Sequence, residues 1–136
     1  MPLHLIKLCV GAATPEDLRA WRAQRAAAGH RPIVHTRQTP KRAPEIVAGG
    51  SLFWVFKGVI LIRQRVQAIE TLGEGVERRC EILLDPEMIP TASQPRRAFQ
   101  GWRYLEPDNA PLDFGAAAEG QFPPDLARRL REAGAW

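Results

Sequence analysis

The apolar positions of this chain fall mostly into short runs with a two-residue period, which predicts strands, separated by three stretches with helix signals. Leu3–Val10 reads as an interior strand. Leu3, Leu5, Lys7 and Cys9 point one way, and His4, Ile6, Leu8 and Val10 the other, so both faces are largely apolar. Thr14-Pro15-Glu16-Asp17 opens a helix to about Ala28: a hydroxyl at the N-cap, proline in the first turn and acids at the positive end. Leu18 and Trp21 are its expected anchors, and Gly29 ends it. Residues 30–39 read as a short extended segment. Pro40–Val47 predicts a short helix closed by Gly49-Gly50, where positive φ values would form a C-cap.

The centrepiece is Ser51–Thr71. Leu52, Trp54 and Phe56 share one face, and Phe53, Val55 and Lys57 the other. Gly58 marks a turn or bulge. Beyond it, Val59, Leu61, Arg63, Arg65 and Gln67 alternate with Ile60, Ile62, Gln64 and Val66, so one face passes from apolar to cationic while the other stays buried. Glu74-Gly75 turns the chain into a partner strand, Glu77–Leu84, which makes a hairpin. Pro90–Pro95 reads as loop, and Arg96–Leu105 as a last strand broken by Gly101. Residues 115–136 are a linker and a C-terminal helix at about 124–133, packed on or extending from the body. The expected fold class is therefore α+β. Residues 1–114 form a single domain with a mixed, curved sheet or partial β-barrel, covered by about three helices.

Composition fits a globular chain of 136 residues, with 45% hydrophobic and 25% charged residues. Charge is uneven: residues 1–49 carry eight Lys/Arg against three Asp/Glu, whereas residues 106–136 carry three against six. A basic body suits an anionic partner, although a GC-rich coding bias toward Arg and Ala would leave the same imprint. Cys9 and Cys80 are expected as reduced thiols in apolar strands. No signal peptide and no stretch of ~18 apolar residues is evident, so a cytoplasmic protein without a membrane partner is expected.

Candidate chemistry is sparse. The pairs His4/Cys9 and His30/His35 lack further ligands, so no metal site is expected. Ser51 and Ser93 sit in no nucleophile motif, and no Gly-rich phosphate loop is present. No cofactor and no catalytic residue are assigned. Glu45, Asp85 and Glu87 are the carboxylates nearest the centrepiece, and Asp85-Pro86-Glu87 reads as a turn. Polyanion binding has the best local support: Lys57, Arg63, Arg65, Arg96, Arg97 and Arg103 as phosphate ligands, with Trp102 as a stacking ring near Phe99 and Tyr104. The leading expectation is a non-catalytic nucleic-acid-binding module, with RNA as the favoured partner. The alternatives are a small enzyme acting on a nucleotide-like or anionic small molecule, and a protein-interaction domain.

The segments MPLHLIKLCVGA, PKRAPEIVAGGSLFWVFKGVILIRQRV and RRCEILLDPEMIPTASQPRRAFQGWRYL resemble the bacterial "domain of unknown function 1489" family over about residues 1–114. That resemblance implies no activity and no site residues. The order of a short helix, Gly-Gly, an aromatic strand and a basic strand is similar to PUA-like and ASCH-like domains, which are small barrels. Many of those bind RNA or modified nucleotides, and this likeness is one of layout alone.

Overall fold

The computed structural model describes residues 2–97 and 99–114. The terminal helix expected at 124–133 lies outside the described residues. Seven strands and two helices follow in the order β1 (His4–Leu8), α1 (Pro15–Ala27), β2 (Ile33–Thr36), α2 (Ala43–Val47), β3 (Ser51–Phe56), β4 (Val59–Leu72), β5 (Arg79–Leu84), β6 (Ile89–Pro95) and β7 (Trp102–Leu105). The strands form one mixed sheet in the order β2-β5-β4-β3-β1-β7, with β6 also paired to β4. Only β1 and β3 run parallel; every other pairing is antiparallel. The fold is α+β and its sheet is curved but not closed.

β4 carries the curvature. Its first half pairs with β3 and β6, and its second half with β5. The register slips where Trp54 opposes Ile62 but Val55 opposes Ile60, which leaves Leu61 without a partner on β3. Such a bulge bends a strand and turns its side chains over. The even alternation expected along β4 is therefore corrected. Ile62 joins Leu52, Trp54 and Val66 in the main core, while Ile60 joins Ile6, Phe53 and Val55 in a second core on the opposite face. β3 is buried along its whole length because both faces are covered.

Several expectations hold. β1 is interior, flanked by β3 and β7. Thr14 caps α1 by accepting the Asp17 N–H at 3.2 Å. The β4–β5 hairpin forms around a 3-10 turn at Gly75–Glu77. Others do not. Trp21 is 48% exposed and Leu18 alone is buried on α1, because the helix has too few apolar positions to bury a second turn. The predicted loop at 90–95 is strand β6. Pro90 and Pro95 cannot donate to a ladder, yet Thr91, Ala92 and Ser93 between them are buried. The chain returns to cover the other edge of β6, where Ala92 N–H donates to Leu112 O at 2.7 Å.

Gly49-Gly50 also works differently from a left-handed cap, since neither glycine has positive φ. Gly50 is required by proximity: a Cβ there would overlap the Leu3 carbonyl oxygen and sit 2.9 Å from that of Ile46. At the β3–β4 tip, by contrast, Lys57 (φ 48°) and Gly58 (φ 85°) both take left-handed values, the conformation of a two-residue hairpin turn. Lys57 bears a steric cost there that glycine or asparagine avoids. Lys57→Gly is expected to stabilise the fold by about 0.5 kcal/mol, the smaller αL strain being partly offset by chain entropy. Chemical denaturation tests this, and a lower midpoint would contradict the turn assignment.

Candidate nucleic-acid interface

The cationic row on β4 faces the second core and is engaged within the protein. Arg63 Nε and Nη2 donate to Asp113 Oδ1 and Oδ2 at 2.7 and 2.9 Å, and Nη1 donates to Ser51 Oγ at 2.8 Å. A planar guanidinium on a carboxylate is the geometry in which a bidentate pair forms. That pair pushes the Arg63 pKa further up. Arg65 reaches the carbonyl oxygens of Val66 and Val47 at 3.3 and 3.4 Å, at the end of α2.

His4 belongs to the same cluster. Its Nδ1 accepts the Ser51 backbone N–H at 3.0 Å, and its ring meets Phe53 edge-on at 5.0 Å. Burial, and then the Arg63 charge, push its pKa down to about 4. The unfolded chain therefore binds a proton near pH 6.5 that the folded chain refuses, so this contribution is whole above pH 6.5 and is lost as pH falls toward 4. The unscreened ceiling is ~3 kcal/mol, and partial exposure reduces it to roughly half. Thermal melts between pH 7 and 4 should fall less steeply for His4→Asn than for the native chain. Equal slopes would contradict the assignment.

The remaining expected ligands are distributed over two places. Lys57 and Arg97 are exposed beside the β3–β4 tip, to which Arg96 is tied by its N–H on Gly58 O at 2.7 Å. The Arg96 side chain itself donates to Asn109 O at 3.2 Å. Arg103 is exposed on β7, bonded to Gln100 O at 2.7 Å and lying 5.5 Å above the Phe99 ring. Trp102, next to it, points to the opposite face and meets Tyr104 edge-on at 5.0 Å. Arg63 and Arg65 are thus not gathered with the others.

What the curvature does bring together is the two ends of the sheet. Trp102 Nε1 donates to Gln38 O at 2.8 Å, so β7 is tied to the segment leaving β2 across an unclosed seam. A cleft of about 460 Å³ lies there, with Lys7, Arg37 and Arg103 on its walls beside Trp102. It shares Gln38 and Trp102 with a second cleft of about 510 Å³, bounded by Lys41, Arg78 and Tyr104. On the other side it shares Lys7 and His35 with a third, of about 440 Å³, which contains Cys9, Trp21 and Arg22. Arg22 also borders a fourth, of about 530 Å³, with Arg19, Arg25 and Arg31. Among the described residues, the linings of these four clefts together hold nine Lys and Arg and no Asp or Glu.

The nearby carboxylates are turned elsewhere. Glu81 meets His35 Nε2 at 2.7 Å across the β2–β5 pair. Glu45 holds Arg42 at 2.7 and 2.9 Å. Asp85 accepts the Glu87 N–H at 2.8 Å in the expected turn. Lys7 is half-buried, and desolvation lowers its pKa; desolvation raises that of the Cys9 thiol. Cys80 is fully buried, and both cysteines are free. Among the described residues no three His, Cys, Asp or Glu cluster as a metal site, and no helix is long and apolar enough to cross a membrane.

Sequence reasoning missed Lys7, Arg37 and Arg78. One signal was available: residues 18–44 contain seven Lys/Arg and no acid at all. That stretch supplies α1, β2 and the entry to α2, the shared wall of the clefts.

Residues 5–136 match the family model described as "Protein of unknown function (DUF1489)". The chain belongs to this family. The family match reaches beyond residue 114, the limit of the expected resemblance, to the end of the chain. No curated protein and no solved structure matches it.

Proposed function

We propose that this DUF1489 protein is a non-catalytic module that binds single-stranded nucleic acid, RNA foremost, in the cytoplasm. The observation that carries this reading is the seam between β2 and β7, where cations and aromatic rings line a cleft with no carboxylate among its described lining residues. A polyanion entering such a cleft meets no carboxylate among the described lining residues, and neutralising its phosphates releases counterions. Lys7, Arg37 and Arg103 would take phosphates. Trp102 and Tyr104 offer ring surface to unpaired bases, a contact worth ~1–3 kcal/mol per base. Lys57, Arg96 and Arg97 would extend the field from the hairpin tip, while Arg63 and Arg65 serve the fold. The PUA-like order of elements agrees with this reading at the level of layout. A carboxylate-dependent enzyme is less well supported, since Glu45, Asp85 and Glu87 do not line these clefts.

Fluorescence anisotropy with mixed-sequence RNA and single-stranded DNA at low salt tests the proposal. Micromolar or tighter binding that weakens with salt is expected. Arg37→Glu combined with Arg103→Glu should weaken it at least tenfold, both side chains being exposed. Absence of binding at micromolar protein, or binding indifferent to this double substitution, would overturn it.

A further inference from the structure

Resting on that reading, we infer that the ligand is an extended strand of several nucleotides lying along the β2 segment from Arg31 to Lys41, and not a mononucleotide held at the seam alone. The four clefts follow this segment in sequence order. Arg31 and Pro32 border the α1 cleft, Ile33 to His35 the next, His35 to Gln38 the seam, and Gln38, Thr39 and Lys41 the last. Consecutive clefts share wall residues, namely Arg22, then Lys7 and His35, then Gln38 and Trp102. The basic surface is therefore a succession and not a set of isolated patches.

Single-strand grooves take ~4–16 nucleotides. Among the described residues β2 pairs with β5 alone, which leaves it the terminal strand of the sheet.

Two further observations place a ligand at the α1 end. Trp21 is half-exposed, with the guanidinium groups of Arg22 and Arg25 lying 4.8 and 5.7 Å from its ring, so aromatic surface and cations alternate here as they do at Trp102. Among the described residues the buried Arg22 Nε has no hydrogen-bond partner, and burial lowers the pKa of this guanidinium. An unpaired buried donor is destabilising, and a phosphate oxygen in the adjoining cleft would offset that cost. A ligand confined to the seam leaves both features unused.

Oligouridylates of 3, 6, 9 and 12 nucleotides, measured by anisotropy against the full chain, test this. Arg19→Glu with Arg31→Glu alters the α1 end at two exposed positions, and Arg37→Glu with Arg103→Glu alters the seam. The native protein should bind the 9-mer at least tenfold more tightly than the 3-mer. The α1-end pair should weaken the 9-mer about tenfold and the 3-mer less than twofold, whereas the seam pair weakens every length. Circular dichroism confirms that each variant is folded. If the 9-mer binds but the α1-end pair leaves it unchanged, or the 3-mer binds as tightly as the 9-mer, the extended groove is overturned while seam binding stands. If no oligonucleotide binds, both proposals fall. Binding of polyglutamate in place of RNA would have the same consequence.

Discussion

Gly50→Ala is expected to be the most damaging single methyl group that can be added to this protein. The added carbon would overlap the Leu3 backbone oxygen at the entry to β1 and crowd an α2 one, and neither is the end of a flexible side chain. Gly50 also ties α2 to β4: its N–H donates to Ile46 O at 2.6 Å, and its carbonyl accepts from Val66 N–H at 3.0 Å. Relief would require moving β1 away from α2 and thus opening the main core, where Leu3, Leu5 and Ile46 are buried. Overpacking against backbone costs ~3 kcal/mol or more. For a chain of this length that lowers Tm by roughly 10 °C. Gly49→Ala is the control, since its Cβ would meet only the Pro2 side chain at 3.3 Å. Equal thermal stability of Gly50→Ala and the native protein would mean that the close approach is not real.

The second large effect concerns Arg63. Replacing it with alanine leaves Asp113 without its bidentate partner and Ser51 Oγ without its donor. The Arg63 side chain is 22% exposed and that of Asp113 39%, so water restores part of the loss. Removing one member of a fully buried pair costs ~3–5 kcal/mol; about 2–3 kcal/mol is expected at this half-covered site. Arg63→Met together with Asp113→Leu should recover much of it, because two apolar groups leave no stranded charge. Chemical denaturation of the two single variants and the double variant gives the coupling energy directly. Strict additivity would show that the pair contributes nothing. Nucleic-acid affinity of the folded Arg63→Ala protein should stay within about twofold of native, which separates a stabilising arginine from a ligand-binding one.

Arg63 also shows where sequence reasoning stopped. Alternation along β4 correctly exposed a cationic row, but alternation is a local property. Asp113, the group that pairs with Arg63, is 50 residues away, and the return of the chain over β6 brings it there. The strand β6 was hidden for a related reason. Its two prolines and polar centre carry no strand pattern, and its burial comes from β4 on one edge and residues 112–113 on the other. The α1 cap and the β1 and β3 faces were legible because their causes lie within a few residues. The seam was not. It exists because a bulged β4 curves the sheet until its terminal strands face each other, and that distance cannot be read from either strand. Trp102 is expected as a stacking ring from its arginine neighbours alone, while the placing of Arg37 beside it in the same cleft required the fold.

The central claim is that the β2–β7 seam, rather than the β4 row, receives nucleic acid. Amide chemical-shift mapping of the labelled full chain with a nine-nucleotide oligouridylate tests this most directly. Shifts concentrated on residues 31–41, Lys7 and 101–104, with Ser51, Arg63 and Arg65 unmoved, are the predicted result. Shifts centred on Arg63 and Arg65 with a silent seam, or no shifts at millimolar oligonucleotide, would contradict it.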